Sequence, residues 1–202
     1  EGSLLVEDAH IAELGETSLA PDEVLDVGGA VIAPGFLDMH SPSDFTLPGQ
    51  PDASAKVLQG VTTEVVCNCG LGLTPANAQV EKFYELIQPM IFGEQGGGCY
   101  RDLDAYADRL HADGVSVNVA CLVPHGNVRG AVMGMEERKP TASEMASMRE
   151  LTESQLSQGA FGLSTGLVYP PGAFAETEEL VELAKVLHPF GGFYATHMRD
   201  EG

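Results

Sequence analysis

Apolar and polar positions along the chain follow two different patterns. In residues 1–34 they alternate over short stretches, 3–6, 10–14, 24–27 and 30–32, broken by Gly15, Gly28 and Gly29. Alternation of period two between glycine breaks predicts a small β module. From Pro34 onward, compact apolar runs at 35–40, 62–67, 115–123, 160–165 and 192–197 predict strands, and the segments between them carry a helical period.

The helix boundaries are readable residue by residue. Asp102 precedes a stripe of Leu103, Tyr106 and Leu110 that Gly114 ends as a left-handed cap. Thr141 and Glu144 form a capping box ahead of Met145, Met148 and Leu151, and Gly159 closes that helix. Thr177 opens an acidic first turn, Glu178 and Glu179, before Leu180, Leu183, Ala184 and Leu187, with Gly191 and Gly192 as the stop. Residues 53–58, closed by Gly60, and 76–91 predict two more helices. Strand and helix in repeated alternation predict an α/β fold with a parallel sheet.

Composition narrows the class. The 202 residues carry 10 Lys and Arg against 30 Asp and Glu, a net charge of −20, and no Lys or Arg precedes Lys56. That sign and layout exclude nucleic acid and an anionic membrane surface as partners. No apolar run approaches the roughly 18 residues of a membrane span. Cys67, Cys69, Cys99 and Cys121, without a secretory signal, do not form a disulfide framework, so a reduced, cytoplasmic setting is expected. The glycine-rich stretch 93–98 lacks the Lys-Ser/Thr of a phosphate loop.

Candidate chemistry gathers at strand ends. His40, His125 and His197 each close a different predicted strand, and Cys69 lies two residues past another, in the turn Asn68-Cys69-Gly70. In α/β barrels this end is the catalytic face. Imidazole and thiolate donors suit Zn²⁺. Each of these residues taken singly could equally be packed structure, as Cys67 and Cys121 within apolar strands are. His40, Cys69 and His197 together form the candidate metal set.

These segments also carry a resemblance. Residues 33–40 (APGFLDMH), 60–75 (GVTTEVVCNCGLGLTP), 122–129 (LVPHGNVR), 159–171 (GAFGLSTGLVYPP) and 194–201 (YATHMRDE) resemble the N-acyl-D-amino-acid deacylases, or D-aminoacylases, of the amidohydrolase superfamily. The resemblance implies a TIM-type (β/α) barrel, of which residues 35–202 would supply about five of eight strands, preceded by part of a small β-sandwich domain in 1–34. The chain would then be an N-terminal piece of a longer enzyme, since a barrel takes about 250 residues.

The implied activity is hydrolysis of the amide of a small N-acyl-D-amino acid by a zinc-activated water. In the family the zinc ligands are a cysteine after the second strand, matching Cys69, and histidines of the fifth and sixth strands, the first matching His197. A second, weaker metal position uses a His-x-His pair after the first strand. His40 is its first member, but position 42 is Pro, and Asp44 is the nearest substitute. Tyr169 matches a tyrosine that holds the substrate or developing oxyanion. The general-base aspartate belongs to the eighth strand, beyond this sequence. Arg129, Arg199 and His125 are the candidates for contact with substrate, either arginine being placed to meet its α-carboxylate.

Two other readings compete. Cyclic-amide hydrolases of the hydantoinase and dihydroorotase kind use a carboxylated lysine after strand four, and no Lys occurs between Lys139 and Lys185. A non-catalytic relative or inactive fragment would account for Pro42.

Overall fold

The computed structural model describes residues 2–17, 20–92 and 98–200; residues 93–97 of the glycine-rich stretch lie outside them. The chain divides into two units, Glu1–Pro34 and Gly35–Gly202.

In the first unit, β1 (Ser3–Glu7) and β2 (His10–Gly15) pair antiparallel, with a register shift at Leu5/Val6. Asp8 and Ala9 connect them with φ of 49° and 64°. Two positive φ values give a two-residue turn the twist of a hairpin. The strands expected at 24–27 and 30–32 are not formed. Ala30 N–H donates to Val27 O at 3.0 Å around Gly28 and Gly29, and the flanking residues are irregular. Alternation is only half of a strand. The ladder partner is the other half, and among the described residues this segment has none, with Val31 92% exposed.

The second unit holds parallel strands in chain order: β3 (Phe36–Asp38), β4 (Val61–Val66) and β5 (Asn118–Cys121), then β6 (Val123–Pro124), β7 (Gly162–Gly166) and β8 (Phe193–His197). The expected strand 115–123 is thus interrupted at Leu122. Its N–H bonds Val66 O at 3.1 Å, and Phe161 N–H bonds Cys121 O at 2.9 Å, so the two ladders meet there.

The helices are α1 (Ser54–Val57), α2 (Ala78–Phe92), α3 (Leu103–Asp113), α4 (His125–Met133), α5 (Ala142–Ser157) and α6 (Thr177–Lys185). Asp102 caps α3 through Ala105 N–H, and Gly114 ends it at φ 72°. The Thr141/Glu144 capping box is formed in full on α5. Glu176 rather than Thr177 takes the cap position of α6, without a side-chain cap bond.

Between sheet and helices lies a core that includes Val66, Leu122, Leu163, Tyr106, Met148 and Leu183, all essentially inaccessible. Each such aliphatic side chain contributes about 1.5–3 kcal/mol. This packing fixes the C-terminal ends of the strands, where the candidate residues stand.

Candidate metal-binding corner at the strand ends

After β4 the chain turns sharply. Cys67, Cys69 and Gly70 take φ of 61°, 57° and 68°. A cysteine in the left-handed region is held there by its surroundings. Ser164 Oγ, from β7, donates to Cys67 O at 2.5 Å and accepts from Gly70 N–H at 3.1 Å, and Asn68 Nδ2 donates to Val65 O at 2.8 Å. Glycines let the strands approach this turn. A Cβ on Gly70 would stand 2.7 Å from Gly166 N, and one on Gly166 would stand 1.9 Å from Cys69 O.

That close approach collects the candidates. Gly166 is in register with His197, and Leu167 N–H bonds His197 O at 2.9 Å. The Tyr169 ring meets the His197 ring edge-on, with centroids 5.2 Å apart. Cys69 Sγ lies 3.2 Å from His40 Nε2. Two donors on the edge of a tetrahedral zinc site, with bonds of the usual length, stand about 3.5 Å apart. The thiol and imidazole therefore fit one metal ion. Burial pushes the Cys69 thiol above its ordinary range, so a bound cation would have to stabilise the thiolate. Among the described residues, no three His, Cys, Asp or Glu side chains converge to enclose a metal by themselves.

The loop carrying His40 is anchored from below. His40 N–H donates to Asp38 Oδ1 at 3.2 Å, and Asp38 pairs with Lys56. The Lys56 hydrogen bond holds the Asp38 carboxyl below its ordinary range. Lys56 Nζ also lies 3.1 Å from Glu64 Oε1, which accepts from Ser41 Oγ at 2.7 Å and Ser43 Oγ at 2.6 Å. Glu64 is passed over in the sequence reading. Its place on a strand read as apolar is the signal that a polar anchor is buried there.

Asp44 does not fill the place left by Pro42. It is sunk in the core, with Cys67 Sγ 3.6 Å from its Oδ2, and burial pushes its carboxyl up to about 7.

Two of the residues expected near substrate are buried and paired within the protein. Arg129 is 0% exposed: its Nη1 pairs with Glu179 Oε2, and its Nη2 donates to Arg138 O at 2.7 Å. His125, equally buried, places Nε2 2.8 Å from Glu179 Oε1. Burial pushes the Glu179 carboxyl up, but the His125 hydrogen bond and the charges around it outweigh that and hold it below its ordinary range. An enclosed, paired guanidinium offers no face to a substrate carboxylate. Arg199 remains exposed and donates through Nη2 to Ala175 O at 2.8 Å. Glu179 read in sequence only as an acidic first-turn residue, because its partners are some fifty positions away.

No family model matches the chain. It is 44% identical over 197 residues, 96% of its length, to the D-aminoacylase of Alcaligenes xylosoxydans xylosoxydans. A solved D-aminoacylase, described as defining a novel subset of amidohydrolases, superposes on 95% of the chain with a TM-score of 0.82 and 39% identity. The N-acyl-D-glutamate deacylase of Bordetella bronchiseptica, solved with zinc and a phosphonate mimic of the reaction's tetrahedral intermediate, covers 98% of it with a TM-score of 0.85 and 37% identity. The chain spans 39–41% of the length of these relatives. An α/β unit with parallel strands in chain order, a thiol and imidazole paired at their ends, and likeness across nearly its whole length together show that the chain belongs to the D-aminoacylase family of amidohydrolases.

Proposed function

We propose that the protein is a zinc-dependent hydrolase that cleaves the amide of N-acyl-D-amino acids, releasing a D-amino acid and a carboxylate. The observation that carries this reading is the Cys69–His40 pair, 3.2 Å apart at the strand ends of a chain so similar to D-aminoacylases. Cys69 and His197 would hold the zinc, with His40 beside Cys69, and further ligands and the general base would come from sequence outside these residues. When bound, the ion supplies a Lewis acid for the scissile carbonyl and a water acidic enough to attack near neutral pH.

The chain's own groups then have distinct tasks. The Ser164 hydrogen bonds hold the Cys69 turn rigid, and Asp38, Lys56 and Glu64 hold His40 in reach of it. Tyr169, edge-on to His197, is the group that would hydrogen-bond the substrate carbonyl or the developing oxyanion. Arg199 is the remaining candidate for the α-carboxylate. Pro42 supplies no donor atom and Asp44 is buried, which favours a single tightly bound metal.

The same reading takes residues 35–202 as about five of the eight strands of a TIM-type barrel, and 1–34 as part of a small β domain. Supporting it are the parallel order and the exposed apolar residues on the outer strands, Phe36 and Leu37 on β3 and Phe193 and Tyr194 on β8. The test is to assay the full-length protein on N-acetyl-D- and N-acetyl-L-amino acids alongside zinc analysis. Release of amino acid from the D series with bound zinc is expected; absence of turnover in the zinc-loaded protein would overturn the reading.

A further inference from the structure

A cavity of about 210 Å³ opens between α2 and α4. Leu71, Val80, Phe83, Leu86, Met135 and Pro171 form most of its apolar lining. The polar groups in its buried wall are already spent. Tyr84 Oη accepts from Gly72 N–H and donates to Asn127 Oδ1, both at 2.8 Å, while Asn127 Nδ2 donates to Gly72 O at 2.7 Å and Pro75 O at 3.1 Å. Gln79 and Lys82 stand on its exposed rim. Such a wall offers an occupant hydrocarbon contact and no hydrogen bond, so the occupant must be apolar.

Its place in the fold says which apolar group. Leu71 is two residues past Cys69 and Pro171 two past Tyr169, so the lining begins where the candidate metal-binding corner ends. Gly126 N–H bonds Gly70 O at 3.0 Å and ties the start of α4 to the Cys69 turn. A cavity of about 150 Å³ accepts benzene, so this one has room for a chain of roughly six carbons. The two ends of an N-acyl-D-amino acid differ in what they need. The amino-acid side chain leaves the carbon that bears the α-carboxylate, and in the Bordetella bronchiseptica relative that side chain is itself acidic. The acyl tail is hydrocarbon alone.

We propose that this cavity is the acyl-tail subsite, and that the enzyme prefers medium-chain N-acyl groups, near hexanoyl, to N-acetyl. The proposal rests on the deacylase reading for its substrate, while the cavity's affinity for an acyl chain can be measured without turnover.

Gly130 gives the means to fill it. A Cβ there would lie 3.5 Å from Val80 Cγ2 and 4.0 Å from Pro171 Cγ, ordinary contact distances inside α4, so Gly130→Leu projects into the cavity without backbone strain. Phe83→Ala enlarges the cavity instead. In the full-length zinc-loaded protein, kcat/KM is measured for N-acetyl-, N-butanoyl-, N-hexanoyl- and N-octanoyl-D-leucine, and hexanoate and acetate binding by calorimetry. The expected rise is about fourfold per methylene up to hexanoyl. Gly130→Leu should lower the hexanoyl-to-acetyl ratio by about tenfold or more and weaken hexanoate by a similar factor, and Phe83→Ala should move the optimum to a longer chain. A flat chain-length profile, or the same profile in wild type and both variants, overturns the subsite, as does a Gly130→Leu effect that follows the amino-acid side chain at fixed acyl group. If N-acetyl-D-amino acids are cleaved while hexanoate does not bind, the subsite fails and the deacylase reading stands. If hexanoate binds and Gly130→Leu blocks it in a protein that cleaves no N-acyl-D-amino acid, the cavity stands as an acyl-chain site and the deacylase reading fails.

Discussion

Two histidine corners sit at the same end of the sheet and behave in opposite ways. At one, exposed His40 stands 3.2 Å from half-buried Cys69, on a turn of left-handed residues. At the other, His125 is fully buried against Glu179, which also pairs with buried Arg129. Both histidines stand just past a strand end, His40 two residues beyond β3 and His125 opening α4 directly after β6, so position alone does not separate a ligand from a structural residue. The partner does: a thiol is itself a metal donor beside the imidazole, whereas a buried carboxylate shared with an arginine engages His125 Nε2 in holding α4 to α6.

The comparison is sharpest under substitution. In the full-length protein, Cys69→Ala should remove bound zinc and lower kcat/KM by about 10³-fold or more, on the scale of losing the main electrostatic element of a site, with little change in the urea midpoint when both proteins are compared free of metal. Retention of stoichiometric zinc by this variant would break the assignment of the first corner. Glu179→Gln should do the reverse, leaving Arg129 buried beside a neutral amide. Removing one partner of a buried pair costs about 3–5 kcal/mol, read as a lower urea midpoint at unchanged zinc content.

Acid should also separate Glu179 of the second corner from Asp44, buried beside Cys67. The Glu179 carboxyl is held below its ordinary 4.5 in the folded protein. Its contribution to stability is then complete above pH 4.5 and lost as pH falls through the depressed value. Asp44 has the opposite sign. Its carboxyl is raised from 3.8 to about 7 by burial, so the folded state is favoured at low pH, and that advantage disappears as pH rises from 3.8 toward 7. Unfolding free energies between pH 3 and 8 should therefore show two limbs. Glu179→Gln flattens the acid one. Asp44→Asn flattens the other, at roughly 1.4 kcal/mol per unit of displacement. An unchanged slope between pH 4 and 7 in Asp44→Asn would show that its carboxyl is not the buried group that titrates there.

How much of this was legible in the sequence follows from the range of each interaction. The beginning and end of α3, at Asp102 and Gly114, are set by contacts within four residues and read correctly. The strand before Cys69 and the one ending at His197 read to within a residue, because an apolar run and the turn closing it are local, whereas β3 stops at Asp38, two residues short of the end expected at His40. The strands expected at 24–27 and 30–32 fail because pairing is not local, and alternation without a partner makes no ladder. Leu122 interrupts its strand where the two ladders meet, which no single run reveals. The burial of Arg129 was illegible for the same reason. Being near a strand end said nothing of Glu179, which another helix delivers.

The smallest effect belongs to the most legible feature. At the exposed start of α5, Thr141 Oγ1 accepts from Glu144 N–H at 3.2 Å, and Glu144 Oε2 accepts from Thr141 N–H at 2.7 Å. This exchange satisfies two backbone groups that the first turn would otherwise leave to water. Thr141→Ala should cost about 1 kcal/mol in urea unfolding and leave zinc content and turnover unchanged, because α5 contributes no group to either histidine corner. Glu144→Gln keeps an acceptor for Thr141 N–H and should cost less than Thr141→Ala. Should the two variants prove equal, the charge of Glu144 and its pairing with Arg138, rather than the cap itself, would be what steadies the start of this helix.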